Sequence, residues 1–384
     1  MLDGRTPWSE EPSEHYRPAG RWQGENLADL LTAAVEAHGE RTALVHGPLR
    51  LTYAELGRRV ARTAAGFVAQ GIAPGERVLV RLPNGPAFVI VTLALFRMGA
   101  QPVFSLLPPR PGQLPHLCAL SGAVACVVPG RYEDPARHED PGRYDDPGRT
   151  RPAPDLATQC ATLRKVFVLD AGAERAAPPA PEGLLVALDQ VDAEPLPPAT
   201  PDPSDVAFLL LSGGTEQARL VPRTHDDYAY QIRAAAELLE LDASDVYLAV
   251  LPAELNFTWG CPGVVGTLAS GGTVVLMDAP RADECFAAVE RQGVTFTSLV
   301  PALAQSWLEV AEGNTADLSS LQLVQIGGAR LPASVVERIR PVLGCRLQQV
   351  YGVAEGQHTF TRDTDAEDEA HGAADRVTAG DAVL

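Results

Sequence analysis

The sequence predicts an α/β protein made of two doubly wound subdomains, and three observations carry that prediction. Apolar strand-like runs alternate with helical periodicity along most of the chain, which is how parallel strands joined by crossover helices read. The 384 residues exceed the roughly 250–300 at which one hydrophobic core stops growing. A stretch rich in proline and charge separates two such alternating regions.

The first region spans 1–129, with strands expected at 78–80 and 124–128 and helices over 54–70 and 86–98. Residues 130–204 read as an insertion and linker containing one short strand near 165–169. The insertion opens with three hexapeptides beginning at Arg131, Arg137 and Arg143, each closing on Asp-Pro and a small residue. Charge and proline at that density offer no hydrophobic face, so 130–158 is expected to be an exposed loop or a disordered insertion. The second region, 205–361, alternates strands near 206–211, 246–251, 273–277, 295–300, 321–326 and 346–351 with helices. One of these helices starts at Pro301, a favoured first helical residue. Residues 362–384 form an acidic tail.

Charge and composition exclude several classes. A formal net charge of -18 disfavours nucleic acid, whose phosphates require clustered Lys and Arg. No run of about 18 apolar residues occurs, and Met1-Leu2-Asp3-Gly4-Arg5 lacks the order of a signal peptide, so a cytoplasmic protein without a membrane span is expected. The six cysteines form no CxxC pair, which leaves little ground for a metal or disulfide framework.

The most informative stretch runs from Ser212 to Tyr228. The strand-like Val206-Ala207-Phe208-Leu209-Leu210-Leu211 leads into Ser212-Gly213-Gly214-Thr215, and a helical pattern follows from Tyr228. A glycine-rich loop between strand and helix gathers backbone N–H groups around an anion. An ordinary Gly-Gly turn looks the same in isolation, but further motifs accompany this one. Ser212 to Thr215, Pro222-Arg223-Thr224-His225 and Asp227-Tyr228 resemble the phosphate loop of the adenylate-forming superfamily. Within it, the chain is similar to the aryl-acid AMP ligases that activate salicylate or 2,3-dihydroxybenzoate for siderophore assembly. Tyr16-Arg17-Pro18-Ala19-Gly20-Arg21-Trp22, Leu51-Thr52-Tyr53-Ala54-Glu55-Leu56, Gly327-Gly328-Ala329-Arg330 and Tyr351-Gly352-Val353-Ala354-Glu355-Gly356 extend the resemblance over nearly the whole chain.

That resemblance implies the N-terminal domain fold of the superfamily, with ATP and AMP as nucleotides and Mg²⁺ as the metal. It implies an aromatic carboxylic acid of the salicylate, dihydroxybenzoate or anthranilate type, and a role in siderophore or other secondary metabolism linked to nonribosomal peptide synthesis. Ser212, Gly213, Gly214, Thr215, Ala329, Tyr351 and Gly352 fall on nucleotide-binding positions of the family. Asn256, Phe257, Cys261, Gly327 and Gly328 fall around the acid, Asn256 being the amide that holds its ortho substituent. Arg219, His225 and Glu355 fall on catalytic positions, with Glu355 also on the metal, since hard oxygen ligands suit Mg²⁺.

The departures from the family pattern bear on activity. Glu216 to Val221 is one residue shorter than the corresponding family segment, so Arg219 stands where the family has lysine. A planar guanidinium does not place charge as an ammonium does, and Glu216 sets a carboxylate beside a site meant for polyphosphate. Lys165, the single lysine, matches neither family lysine. Leu255, Phe257 and Cys261 replace the family histidine, tyrosine and serine, which makes the acid pocket less polar. The sequence ends at Leu384, so most of the family's barrel subdomain and its C-terminal domain are expected to be absent and adenylation by this chain alone to be impaired. Two readings stay open. One is a ligase completed by a separate subunit supplying the missing domain; the other is a non-catalytic partner or scaffold for a carrier protein or a complementing ligase.

The hexapeptide segment yields the first expected outcome. Replacing 130–158 with a short Gly-Ser linker changes the melting temperature little, because loop-closure cost grows slowly with length. Limited proteolysis of the parent cuts there first, whereas unfolding of the replaced protein would show that the repeats pack on the body.

Overall fold

A computed structural model describes residues 16–105, 113–133, 150–152, 160, 162–169, 183–212, 219–278, 280–356 and 358–361. The loop residues 213–218, most of the hexapeptide repeat and the tail from 362 onward lie outside the described residues. The chain divides into two compact α/β units, one of 1–29 with 57–229 and one of 30–56 with 230–384.

The first unit holds a seven-stranded sheet in the order Leu220–Thr224, Val206–Leu211, Gln101–Phe104, Arg77–Val80, Ala125–Pro129, Lys165–Leu169, Leu185–Ala187. Every neighbouring pair is parallel except the hairpin between the first two strands. Five of these strands are buried over all but their end residues, and burial on both faces is why they read as unbroken apolar runs rather than alternating ones. Phe208 packs edge-on to Tyr228 with ring centroids 4.6 Å apart.

The second unit holds an eight-stranded sheet in the order His358–Phe360, Arg346–Gly352, Leu323–Gly327, Phe296–Leu299, Val246–Ala249, Thr273–Leu276, Thr42–His46, Leu49–Thr52, antiparallel only at its two edges. The helices Ala282–Gln292, Pro301–Ala311 and Ala333–Leu343 share one core with Leu299, Val324 and Ile326, and Phe286 meets Trp307 edge-on. Side chains alternate across a strand, so Gln325 points to the other face. There a fully buried polar row crosses three strands. Ser298 Oγ donates to Gln325 Oε1 at 3.1 Å, Gln325 Nε2 to Gln348 Oε1 at 2.9 Å, and Gln348 Nε2 to the carbonyl of Thr361 at 3.1 Å. Buried amides left unpaired would cost about 1–3 kcal/mol each; paired in this way they hold the strand register and anchor the chain just past Phe360.

The subdomain boundaries expected at 129 and 205 require correction. The strand Thr42–His46 takes its parallel partner from the second sheet, Leu44 opposite Val274. The strand Val206–Leu211 takes its own from the first, Leu209 opposite Val103. Part of the expected linker is also core: Lys165–Leu169 lies between Ala125–Pro129 and Leu185–Ala187, and Phe167 packs edge-on to Phe67 at 4.9 Å. A five-residue apolar strand adjoining proline-rich sequence carries too short a signal to reveal that it is central. At the base of the hexapeptide segment, Arg131–Glu133 pairs antiparallel with Thr150–Pro152. Among the described residues no helix is long and apolar enough to cross a membrane.

Candidate functional site

In the first unit, the motif residues 223–228 close on one another. The Arg223 guanidinium is buried, pairs with Asp227 at 2.7 Å and lies over the Tyr228 ring, 4.8 Å from its centroid. Thr224 N–H donates to Asp227 Oδ2 at 2.8 Å, and Asp227 N–H donates to Thr224 Oγ1 at 3.2 Å. This is a reciprocal capping arrangement at the start of the helix His225–Leu238. His225 is buried, and Leu27 N–H donates to its Nδ1 at 3.3 Å. Burial pushes its pKa down to about 4, against a smaller opposing pull from Asp205 and Asp227. A ring so held is neutral at pH 7 and braces the start of the helix Leu27–His38. Arg219 is exposed, and its carbonyl accepts from Ser212 N–H at 2.9 Å. Ser212 Oγ is buried with no hydrogen-bond partner among the described residues. Gly213, Gly214 and Thr215 lie outside the described residues.

The second unit brings Asn256, Phe257, Cys261 and Gly327 together. Parallel strands end on the same side of a sheet, and ligands of open α/β folds collect there. Gly327 closes the strand Leu323–Gly327 opposite Val350. A Cβ at 327 would stand 2.5 Å from the Val350 carbonyl oxygen and 3.3 Å from the Phe257 ring, so only glycine lets the ring lie this close to the sheet. Cys261, Val350 and Phe360 form a small apolar cluster on which Phe257 packs. Gly328, Ala329 and Glu355 are exposed beyond these strand ends, and Tyr351 and Gly352 are exposed as the last two residues of the strand Arg346–Gly352.

Asn256 opens the short helix Asn256–Gly260 and is half-buried. Its Oδ1 accepts from Gln231 Nε2 at 3.2 Å, and Gln231 Nε2 also donates to the Gly260 carbonyl at 2.8 Å. Its Nδ2 faces His358 Nε2 at 3.2 Å and the Val353 carbonyl at 3.4 Å. The His358 ring lies against Gly352, where a Cβ would meet it at 2.6 Å, and its Nδ1 faces the Gly356 carbonyl at 3.2 Å. Sequence reasoning missed both Gln231 and His358. A signal for Gln231 was present: it is a polar residue on the stripe formed by Tyr228, Ile232 and Ala235, all buried. His358 shares its strand face with Phe360, but a three-residue strand gives no readable period. Among the described residues no group of three His, Cys, Asp or Glu side chains could hold a metal ion by itself. Glu355 is a single exposed carboxylate, which fits Mg²⁺, an ion held by one or two carboxylates together with phosphate oxygens.

A glycine-rich loop after a buried strand and a half-buried amide at the strand ends of a parallel sheet are features with known counterparts. The family of AMP-binding enzymes matches residues 31–383. The chain belongs to that family. It is 40% identical over 369 residues to the 2,3-dihydroxybenzoate-AMP ligase of Bacillus subtilis, covering 96% of this chain and 64% of the relative. It is 40% identical over 373 residues to the salicyl-AMP ligase / salicyl-S-ArCP synthetase of Mycobacterium tuberculosis, covering 94% and 62%. The apo structure of Mycobacterium smegmatis MbtA superposes with a TM-score of 0.82 at 38% identity, over 96% of this chain and 64% of that one. The chain thus spans a little under two thirds of the length of these members of the family.

Placing His225 in a buried, neutral state has a pH consequence. The unfolded chain protonates this histidine near pH 6.5 and the folded chain near 4, so the unfolded state binds more protons between those values. Stability from this group is present above about pH 6.5 and falls as the pH drops toward 4, by on the order of 3 kcal/mol. His225→Asn keeps an acceptor for Leu27 N–H and removes the titration. Thermal unfolding from pH 7 to 4 should therefore fall less steeply in the variant, and identical slopes would contradict the assignment.

Proposed function

We propose that the second unit binds an aromatic carboxylic acid whose ortho substituent meets Asn256, and that the chain acts as an aryl-acid AMP ligase-like protein in siderophore or related secondary metabolism. The observation that carries this reading is the half-buried Asn256 amide, held from both sides at the strand ends beside the apolar wall of Phe257, Cys261 and Val350. Apolar walls with a few convergent polar groups suit ligands of this kind. The 40%-identical relatives, a 2,3-dihydroxybenzoate-AMP ligase and a salicyl-AMP ligase, support the same substrate class.

ATP would supply the adenylyl group, and its transfer to the acid would release pyrophosphate. Ser212, Gly213, Gly214 and Thr215 would meet the phosphates, Ala329, Tyr351 and Gly352 the adenosine, and Glu355 the Mg²⁺. Taken singly, the buried Ser212 hydroxyl can donate to a phosphate oxygen, and an exposed carboxylate such as Glu355 suits Mg²⁺. No general base is needed, because a benzoate carboxyl with a pKa near 4 is already ionised at pH 7. The chain's own task is to hold the acid still and to neutralise charge growing at the phosphate. An aryl carrier protein is the partner that would receive the activated acid.

A second reading is favoured by the loop sequence. Glu216 and Arg219, in a segment one residue shorter than the family's, weaken the phosphate site while leaving the acid site intact. The protein would then bind the acid or its adenylate as a non-catalytic partner of a carrier protein or a complementing ligase. Pyrophosphate exchange with ATP and salicylate, 2,3-dihydroxybenzoate or anthranilate separates the two. Turnover near 1 s⁻¹, an ordinary enzymatic rate, establishes the ligase, and its absence alongside acid binding establishes the partner. For the acid site itself, calorimetry should show an aryl acid binding to the parent and Asn256→Ala weakening it by about 1–3 kcal/mol. Equal affinities would remove Asn256 from the site.

A further inference from the structure

Hydrogen-bond polarity around Asn256 follows from chemistry alone. A backbone carbonyl accepts and cannot donate. Gln231 therefore turns its nitrogen, not its oxygen, to the Gly260 carbonyl 2.8 Å away. The same nitrogen faces Asn256 at 3.2 Å, so the Asn256 atom there is its oxygen. The Asn256 nitrogen then points at His358 Nε2, 3.2 Å away, and Nε2 must accept. A neutral imidazole that accepts at Nε2 carries its proton on Nδ1, and Nδ1 lies 3.2 Å from the Gly356 carbonyl, which can take that proton's hydrogen bond. Reasoning inward from Gly260 and inward from Gly356 thus gives one and the same arrangement. The four groups come from different parts of the second unit: the portion of the helix His225–Leu238 from Tyr230 onward, the helix Asn256–Gly260, the strand His358–Phe360 and the turn before it.

Packing keeps the histidine in this position. Its ring is buried, lies against Gly352 and stacks near Phe360 with centroids 6.4 Å apart. The ring cannot turn away from Asn256 without displacing these neighbours. At position 255, next to Asn256, the chain has the apolar Leu255, so the imidazole beside this amide is supplied from the far end of the sheet.

We propose that His358 is a positioning residue of the acid site: by accepting from Asn256 Nδ2, whose other hydrogen faces the Val353 carbonyl, it takes up the last free hydrogen of that amide and commits it to meet the ligand through its oxygen. The site then selects aromatic acids whose ortho group donates a hydrogen bond, a hydroxyl or an amine, over acids whose ortho group can only accept. This inference rests on the aryl-acid reading above and adds to it the residue that sets the polarity of recognition.

The test uses the full chain, with salicylate and 2-fluorobenzoate as probes and binding measured by calorimetry. The parent should bind salicylate more tightly than 2-fluorobenzoate. His358→Leu leaves Asn256 Nδ2 only the Val353 carbonyl 3.4 Å away, frees its second hydrogen to meet a ligand, and should lower salicylate affinity roughly ten-fold, the size of one hydrogen bond, while bringing the two acids toward equal affinity. His358→Gln places an amide oxygen close to the position of Nε2 and should restore the preference. Nitrogen-15 spectra of the labelled parent supply a readout that needs neither ligand nor variant: His358 should be the neutral tautomer protonated at Nδ1. A His358→Leu protein with unchanged preference, or a parent ring protonated at Nε2, overturns the proposal. If His358→Leu does not fold, His358→Gln and the tautomer decide. If the parent binds neither acid, the aryl-acid reading fails, and the tautomer still decides whether the relay exists.

Discussion

A backbone carbonyl has only one role in a hydrogen bond, and the organisation of the candidate site depends on that constraint. The carbonyls of Gly260 and Gly356 set the orientation of Gln231 and His358, and these two side chains set Asn256 between them. Each bond alone is worth about 1 kcal/mol net. Their combined effect is larger because a flip of any one amide places donor against donor or oxygen against oxygen at both of its contacts. On the proposed reading the short strand His358–Phe360 contributes to recognition out of proportion to its length; its antiparallel pairing with Arg346–Gly352 and the buried row from Ser298 to Thr361 hold it beside the sheet.

Close approach is the second constraint. Gly327 and Gly352 sit where a methyl group would collide with the Val350 carbonyl and the His358 ring, so both glycines admit aromatic side chains to the strand ends. Phe257, Cys261, Val350 and Phe360 then supply an apolar wall around one oriented amide. With the apolar Leu255 and Phe257 beside Asn256, the proposed reading leaves recognition of the acid to Asn256 and the groups that hold it.

Much of the fold was legible in the sequence, for definite reasons. Strands such as Val206–Leu211 and Leu323–Gly327 are buried on both faces and read as apolar runs, and Pro301 marks a helix start. Sheet membership was not legible, because Thr42–His46 and Val206–Leu211 cross to partners far away in sequence. The motif at Pro222 to Tyr228 identified the family, yet Arg223, Thr224 and Asp227 turn out to build a helix cap, so a recognisable motif need not be made of reacting groups. Asn256 was legible through its neighbours in sequence. Gln231 showed only as a polar residue on a buried helix stripe and His358 left no readable period, since what gives them meaning is a contact across 25 residues in one case and 102 in the other.

The central claim, that a backbone-anchored relay orients Asn256 toward an aromatic acid, is tested most directly by a crystal structure of the chain with salicylate. The account predicts the ring against Phe257 and the strand end at Gly327, with its hydroxyl within hydrogen-bond distance of Asn256 Oδ1 and the contacts to Gln231 and His358 intact. Salicylate bound away from Asn256, or an Asn256 side chain that has left His358 to receive it, would contradict the account.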